Sequence, residues 1–160
     1  MSSTGHPPIL ETASLVWSDE GDCAATAARF AVHPALRRAF IELHGTLGAG
    51  KTTFVRHLLQ ALGVTGRVKS PTYAVMEPYE LPGLPAWHFD FYRFNDPQEW
   101  EDAGFRDIFV AEGLKLAEWP EKAQGLLPVP DLRLDIAVDD DDRRQVSVSA
   151  LSELGQELLR

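Results

Sequence analysis

One glycine-rich segment constrains the fold of this chain more than any other feature of its sequence. The segment matches the phosphate-binding pattern G-x-x-x-x-G-K-[ST], and its residues are Gly45, Thr46, Leu47, Gly48, Ala49, Gly50, Lys51 and Thr52. The mostly apolar residues 39–44 before it predict a short strand, and in residues 50–62 the apolar side chains recur at helical spacing. Because this pattern requires a strand before it and a helix after it, we predict a phosphate-binding loop between the two.

The residue types of the segment suit the shape and charge of a phosphate chain. Glycines allow the backbone to curl so that successive N–H groups point at the same anionic oxygens, and the helix adds the positive end of its dipole. Lys51 is predicted to bring its ammonium group to the β- and γ-phosphates, and the Thr52 hydroxyl to ligate Mg²⁺. Thr53 is predicted to contact the α-phosphate. Residues 45–53 are therefore candidate cofactor-binding residues.

Two acidic residues are candidates for the carboxylate that a magnesium–nucleotide site needs at the end of a neighbouring strand. Asp90 lies between aromatic residues in a predicted strand, where an unpaired carboxylate is costly, and Glu118 ends another predicted strand. We expect both to belong to the site. His88 shares a strand face with Asp90 and fits either a proton-transfer or metal role or a core histidine. Thr72 fits either a contact to the γ-phosphate and metal or an ordinary turn before a strand.

The rest of the chain predicts an α/β domain with a mixed sheet. Strands and helices alternate in the first part of the sequence, whereas the middle and the end contain paired extended runs that favour hairpins. A length of 160 residues with 44% hydrophobic residues indicates a single compact domain. We expect residues 1–10, which contain two prolines, to be a flexible tail and residues 11–160 to form the domain.

Charge and composition exclude several classes of protein and of site. The chain has 15 Lys and Arg against 24 Asp and Glu, and a net charge of −9 gives no overall attraction for a nucleic acid. Any RNA contact would need a local basic patch or another protein. Arg143 and Arg144 fit either mostly solvated positions or the border of a partner or tRNA site. The single cysteine, Cys23, excludes an internal disulfide and a cysteine-based zinc site. No apolar run approaches the ~20 residues of a membrane span, so we expect a cytoplasmic protein.

Two functions other than ATP hydrolysis also fit a phosphate-binding loop. A small kinase for a metabolite hydroxyl would need an acceptor pocket and usually an arginine-bearing lid, and no segment after the central strands clusters arginines. A GTP switch would select guanine with Asn-Lys-x-Asp, but the sole asparagine, Asn95, is followed by Asp96. The metabolite kinase remains the alternative to an ATPase.

Four motifs in a fixed order carry a resemblance to a known family. They are the segments Gly48–Thr53, Val68–Tyr73, His88–Arg93 and Glu118–Pro120. In order and spacing they resemble the TsaE family, small bacterial ATPases of tRNA threonylcarbamoyladenosine biosynthesis. The resemblance extends from Phe40 to Leu134, with two departures. The family usually has Asp where this chain has Thr46, which removes a charge beside the phosphates, and it often has Thr near adenine where this chain has Cys23.

The resemblance implies a fold, a site and a function. The fold would be a P-loop NTPase-like three-layer α/β domain with a mixed parallel and antiparallel sheet. The loop and Thr52 would hold ATP and Mg²⁺, Asp90 would be the acid near the metal, Glu118 would ligate the metal or position water, and Thr72 would be a switch-like contact. The family acts with the two other proteins of the complex, which transfer a threonylcarbamoyl group to the adenosine beside the tRNA anticodon. We expect slow hydrolysis by the isolated chain, because nothing in the sequence supplies an arginine finger.

Overall fold

The computed structural model describes residues 7–68, 71 and 75–160, which form a β-sheet flanked by helices. The strands in this part of the chain are β1 (Glu11–Trp17), β2 (Phe40–His44), β3 (Met76–Leu81), β4 (Leu84–Asp90), β5 (Leu114–Glu118), β6 (Leu132–Val138) and β7 (Arg144–Ala150). The α-helices are α1 (Glu20–Ala31), α2 (Lys51–Ala61), α3 (Pro97–Asp102), α4 (Phe105–Val110) and α5 (Glu153–Leu158). Short 3₁₀ helices span Pro34–Arg38 and Pro120–Ala123. In the described residues, none of the helices is long and apolar enough to cross a membrane.

The sheet combines a parallel centre with antiparallel edges. Its strands lie in the order β1-β7-β6-β2-β5-β4-β3. Strands β6, β2, β5 and β4 run parallel to one another, while β7 pairs antiparallel with β6, β3 with β4, and β1 with β7. The arrangement confirms the predicted α/β class with a mixed sheet.

Neighbouring residues of β2 contribute to two hydrophobic clusters on opposite faces of the sheet. Ile41 and Leu43 belong to a cluster that includes buried side chains of α1 and α2. Phe40 belongs to an aromatic cluster with Phe89 of β4 and Trp100 of α3. Because side chains alternate along a strand, one short strand serves both layers. The sheet is therefore covered by helices on each face of its central strands.

Helix α2 packs through side chains that recur every three or four residues. Phe54, Val55, Leu58 and Leu59 are fully buried, and the Trp17 ring stacks on Phe54 with 5.7 Å between the ring centroids. The contact confirms the helix that the spacing predicts, and it fixes the helix to which the glycine-rich loop is joined.

The carboxyl ends of β2, β4 and β5 meet at one edge of the sheet. The parallel register aligns Leu43 of β2 and Asp90 of β4 with Glu118 of β5. In open α/β sheets, ligands bind in the crevice outside the carboxyl ends of the strands. The fold therefore brings the loop and both predicted acidic residues to this edge.

Candidate active site

The glycine-rich loop runs from Gly45 to Gly50, between the end of β2 and the start of α2. Gly48 and Gly50 have φ angles of 80° and 111°, a conformation that residues with a Cβ rarely adopt. Inside the loop, the Ala49 N–H donates to the Thr46 carbonyl at 3.0 Å. The backbone N–H groups and the dipole at the start of an α-helix attract anions, and α2 begins directly after the loop.

The ammonium group of Lys51 is buried in the loop. The residue is 4% exposed, and its Nζ donates to the Gly45 carbonyl at 2.5 Å. The same Nζ lies 3.5 Å from the centre of the Trp119 ring, which is a cation–π contact. Burial lowers the pKa of Lys51, and nearby carboxylates, that of Glu118 foremost, oppose this shift. A positive charge is thus held against the loop and faces acidic residues.

A hydrogen-bond network joins α2 to the ends of β4 and β5. The Thr52 hydroxyl lies 2.9 Å from each carboxylate oxygen of Glu118. On the other side, His88 Nε2 lies 2.6 Å from Oε2 of Glu118. Glu118 and His88 are both buried. His88 thus occupies the core, one of the two interpretations open from the sequence, and it also contacts a candidate site residue.

Asp90 ends β4 beside Glu118. Its carboxylate accepts a hydrogen bond from the Tyr92 backbone N–H at 3.0 Å. Burial raises the pKa of Asp90, the Tyr92 N–H opposes that shift, and the Glu118 charge adds to it. The two carboxylates therefore stand close enough for their charges to interact.

The oxygen atoms at this edge fit a magnesium ion. Thr52, Asp90 and Glu118 line a cavity of about 190 Å³ together with Lys51 and Trp119. Mg²⁺ prefers hard oxygen ligands, and it usually takes one or two carboxylates plus phosphate oxygens and water. In the described residues, no group of three or more His, Cys, Asp or Glu side chains is arranged to hold a metal ion by itself. A cation at this edge would therefore draw further ligands from a bound phosphate chain.

The remaining predicted site residues lie around the loop, apart from Thr72, which falls outside the described residues. Thr46 and Leu47 are exposed at the tip of the loop, and Ala49 is fully buried beneath it. Thr53 faces a second cavity of about 240 Å³ that Gly50 also lines. Gly50 thus lines both cavities.

Sequence reasoning missed a contact of Arg144, which it treated as mostly solvated. The Arg144 Nε donates to the Ala49 carbonyl at 3.2 Å, and Nη2 donates to the Gly48 carbonyl at 3.4 Å. Its Nη1 donates to the Asp142 carbonyl at 2.9 Å. Arg144 also lines the second cavity with Trp17. An arginine at the start of β7 thus hydrogen-bonds to two carbonyl groups of the loop.

Comparisons with known proteins agree on one family. The family model of the threonylcarbamoyl adenosine biosynthesis protein TsaE matches residues 17–146. A tRNA threonylcarbamoyladenosine biosynthesis protein TsaE of Haemophilus influenzae is 44% identical over 119 residues, which are 74% of this chain and 75% of that protein. The TsaE protein of Bacillus subtilis is 38% identical over 111 residues, 69% of each chain.

A solved structure gives the same result for the fold. The crystal structure of YdiB from Bacillus subtilis superimposes with a TM-score of 0.77 and 26% identity, covering 93% of this chain and 92% of that one. The residues that match the TsaE family model include the loop, Asp90 and Glu118. The chain therefore belongs to the TsaE family of threonylcarbamoyl adenosine biosynthesis proteins.

Proposed function

We propose that this chain binds and hydrolyses ATP with Mg²⁺ as a subunit required for threonylcarbamoyladenosine modification of tRNA at the adenosine beside the anticodon. It acts with the two other proteins of the threonylcarbamoyl-transfer complex and does not transfer the group itself. The observation that carries the proposal is the meeting of Lys51, Thr52 and Glu118 beside a glycine-rich loop, with the Thr52 hydroxyl 2.9 Å from the Glu118 carboxylate. Membership of the TsaE family supports the tRNA pathway.

The phosphate end of the nucleotide would lie on the loop. Backbone N–H groups of residues 45–53 bind the phosphate oxygens, and the Lys51 ammonium neutralises part of their charge. Thr52 and Asp90 would hold the magnesium ion, and Glu118 would ligate it or position the attacking water. Bound magnesium supplies a Lewis acid that stabilises the charge developing on the phosphate oxygens. Thr72 is proposed as an additional contact on the family motif alone.

The nucleoside would occupy the second cavity. This cavity of about 240 Å³ is lined by Trp17, Cys23, Thr53 and Arg144, and it meets the loop at Gly50. A nucleotide laid across Gly50 would place its base beside Trp17 and its phosphates beside Lys51. The position fits the role predicted for Thr53 as a contact of the α-phosphate.

The acidic character of the chain favours action through partner proteins. A net charge of −9 gives no general affinity for RNA, so tRNA would be bound by the other members of the complex. The alternative of a small metabolite kinase finds no support, since the relatives matched over two thirds of the chain bear names from tRNA biosynthesis.

Calorimetry with Mg-ATP tests the proposal directly. We expect Lys51→Ala to abolish measurable binding, because the variant removes the positive charge within the loop. Lys122→Ala is the matched control, since it removes an exposed lysine of the Pro120–Ala123 turn. Thermal melting would first establish that both variants are folded. An unchanged affinity of Lys51→Ala for Mg-ATP would then refute the assignment of the loop as the phosphate-binding site.

A second measurement tests the tRNA part of the proposal. ATP hydrolysis is compared for the isolated chain and for the chain mixed with the two partner proteins and tRNA. We expect a slow rate alone and a faster rate in the mixture. If the isolated chain hydrolyses ATP as fast as the mixture does, the result would contradict a role as a subunit whose activity depends on partner proteins.

A further inference from the structure

A buried network surrounds the carboxylate of Glu118. His88 Nε2 lies 2.6 Å from Glu118 Oε2, and the Thr52 hydroxyl lies 2.9 Å from each oxygen. The His88 side chain is 0% exposed and that of Glu118 is 3% exposed. The contacts come from β4 and α2, while Glu118 itself ends β5. The orientation of one carboxylate is thus set by three elements of the fold.

A single nitrogen of the His88 ring makes this contact. An ionised carboxylate can only accept hydrogen bonds, so the Nε2 atom of His88 carries the proton between the two groups. The other ring nitrogen, Nδ1, is buried and has no hydrogen-bond partner in the described part of the chain. A buried polar atom without a partner is destabilising, so histidine is an unfavourable residue for packing alone. The contact at Nε2 is therefore the feature that explains a histidine at this position.

His88 stands behind the site and not in it. The described residues that line the cavity beside the loop include Glu118 and Asp90 but not His88. The Thr52 hydroxyl, by contrast, lines the cavity and is assigned to the metal under the proposed function. If Thr52 turns to the metal as proposed, the His88 contact with Glu118 would remain, because His88 does not line the cavity. The anchor of the carboxylate during hydrolysis is then the imidazole.

We propose that His88 is a positioning residue that holds the Glu118 carboxylate in its reactive orientation, an inference that rests on the proposed function. Carboxylates at reacting centres act only when they are held within a fraction of an ångström of the productive geometry. Loss of a residue that orients a metal-linked group typically costs 10- to 100-fold in metal affinity or activity. Because His88 does not line the cavity beside the loop, the role assigned to it is in the rate of hydrolysis rather than in direct nucleotide contact.

Two substitutions separate positioning from packing. In His88→Gln the amide nitrogen stands three bonds from Cβ, as Nε2 does in histidine, so it can donate to Glu118. In His88→Asn the nitrogen stands two bonds from Cβ, as Nδ1 does, and falls short of the carboxylate. Single-turnover hydrolysis of Mg-ATP by the full-length chain gives the rate constant, and calorimetry gives the Kd.

We expect His88→Asn to lower the rate constant by about 10- to 100-fold with Kd changed by less than about threefold, and His88→Gln to restore most of the rate. In a Glu118→Ala background, His88→Asn should have no further effect on the rate. A His88→Gln variant that melts like the wild type yet loses as much rate as His88→Asn would overturn the inference, and so would an equal loss of rate and affinity. If the wild-type chain neither binds nor hydrolyses Mg-ATP, the proposed function fails instead.

Discussion

Replacing Arg144 with glutamine tests whether the Arg144 side chain stabilises the conformation of the phosphate-binding loop. Arg144 begins β7, far from the loop in sequence, and its guanidinium donates to the Ala49 and Gly48 carbonyls at 3.2 and 3.4 Å. Both carbonyls belong to the loop whose N–H groups are proposed to bind phosphate. Without the guanidinium, fewer molecules keep the loop in the conformation seen here, and the apparent affinity for nucleotide falls by that fraction.

The structure bounds the size of the effect. Hydrogen bonds from charged donors usually contribute about 1.5–3 kcal/mol each. The two Arg144 contacts are long, and its side chain is 29% exposed, so we assign about 0.5–1 kcal/mol to each. Their combined loss of about 1–2 kcal/mol weakens the affinity by up to roughly 5- to 30-fold, an upper limit that applies when the binding conformation is not strongly favoured in the free chain.

Calorimetry with Mg-ATP measures this effect against a control of the same residue type. Arg143, the adjacent residue, forms exposed ion pairs with Asp139 and Asp141 at 3.3 and 3.2 Å, and within the described residues its hydrogen bonds and ion pairs do not reach the loop. We expect Arg143→Gln to bind like the wild type and Arg144→Gln to bind more weakly, by up to roughly 5- to 30-fold. An Arg144→Gln affinity indistinguishable from that of Arg143→Gln would refute the reasoning.

Three further outcomes follow from the same site. Asp90→Asn and Glu118→Gln should each slow hydrolysis by about 100-fold or more with a smaller effect on binding, because charge placement acts mainly in the transition state. Equal losses of hydrolysis rate and of Mg-ATP affinity would instead mark these residues as structural. Burial raises the pKa of the Cys23 thiol to about 12, so its labelling at pH 8 should be about a thousandfold slower in the native than in the unfolded chain, and fast native labelling would contradict that burial. ATP with EDTA should bind far more weakly than Mg-ATP in the same calorimeter, and equal affinities would exclude a metal at this edge.

The loop could be predicted from the sequence because its determinants are local. Strand β2, the glycine spacing and the start of α2 all lie within residues 39–62, and each follows from short-range periodicity. Asp90 and Glu118 could be predicted as acids at strand ends. Their closeness then follows from the parallel pairing of β4 and β5, which sets them opposite each other.

Other parts of the site depend on pairings that short patterns do not reveal. Arg144 reaches the loop because β7 pairs with β6, and β6 lies beside β2. Trp119 has a φ angle of 55°, and its ring lies over the Lys51 ammonium. Its neighbours in sequence do not indicate this position. Helix α4 begins after Gly104, which has no side chain to cap it, so the sequence lacks the start signal that Asp96 and Pro97 give to α3.

The charges at the site explain why an acidic chain would bind a polyanion only with its metal. Lys51 is a buried cation that faces the carboxylates of Glu118 and Asp90, so the edge already carries more negative than positive charge. A bare triphosphate would add to that excess in a partly buried region where repulsion is poorly screened. A bound magnesium ion would remove the conflict, because the same cation would neutralise the phosphate oxygens and give both carboxylates an opposite charge. The acids that would repel the nucleotide alone would thus make its binding conditional on the metal that the proposed hydrolysis requires.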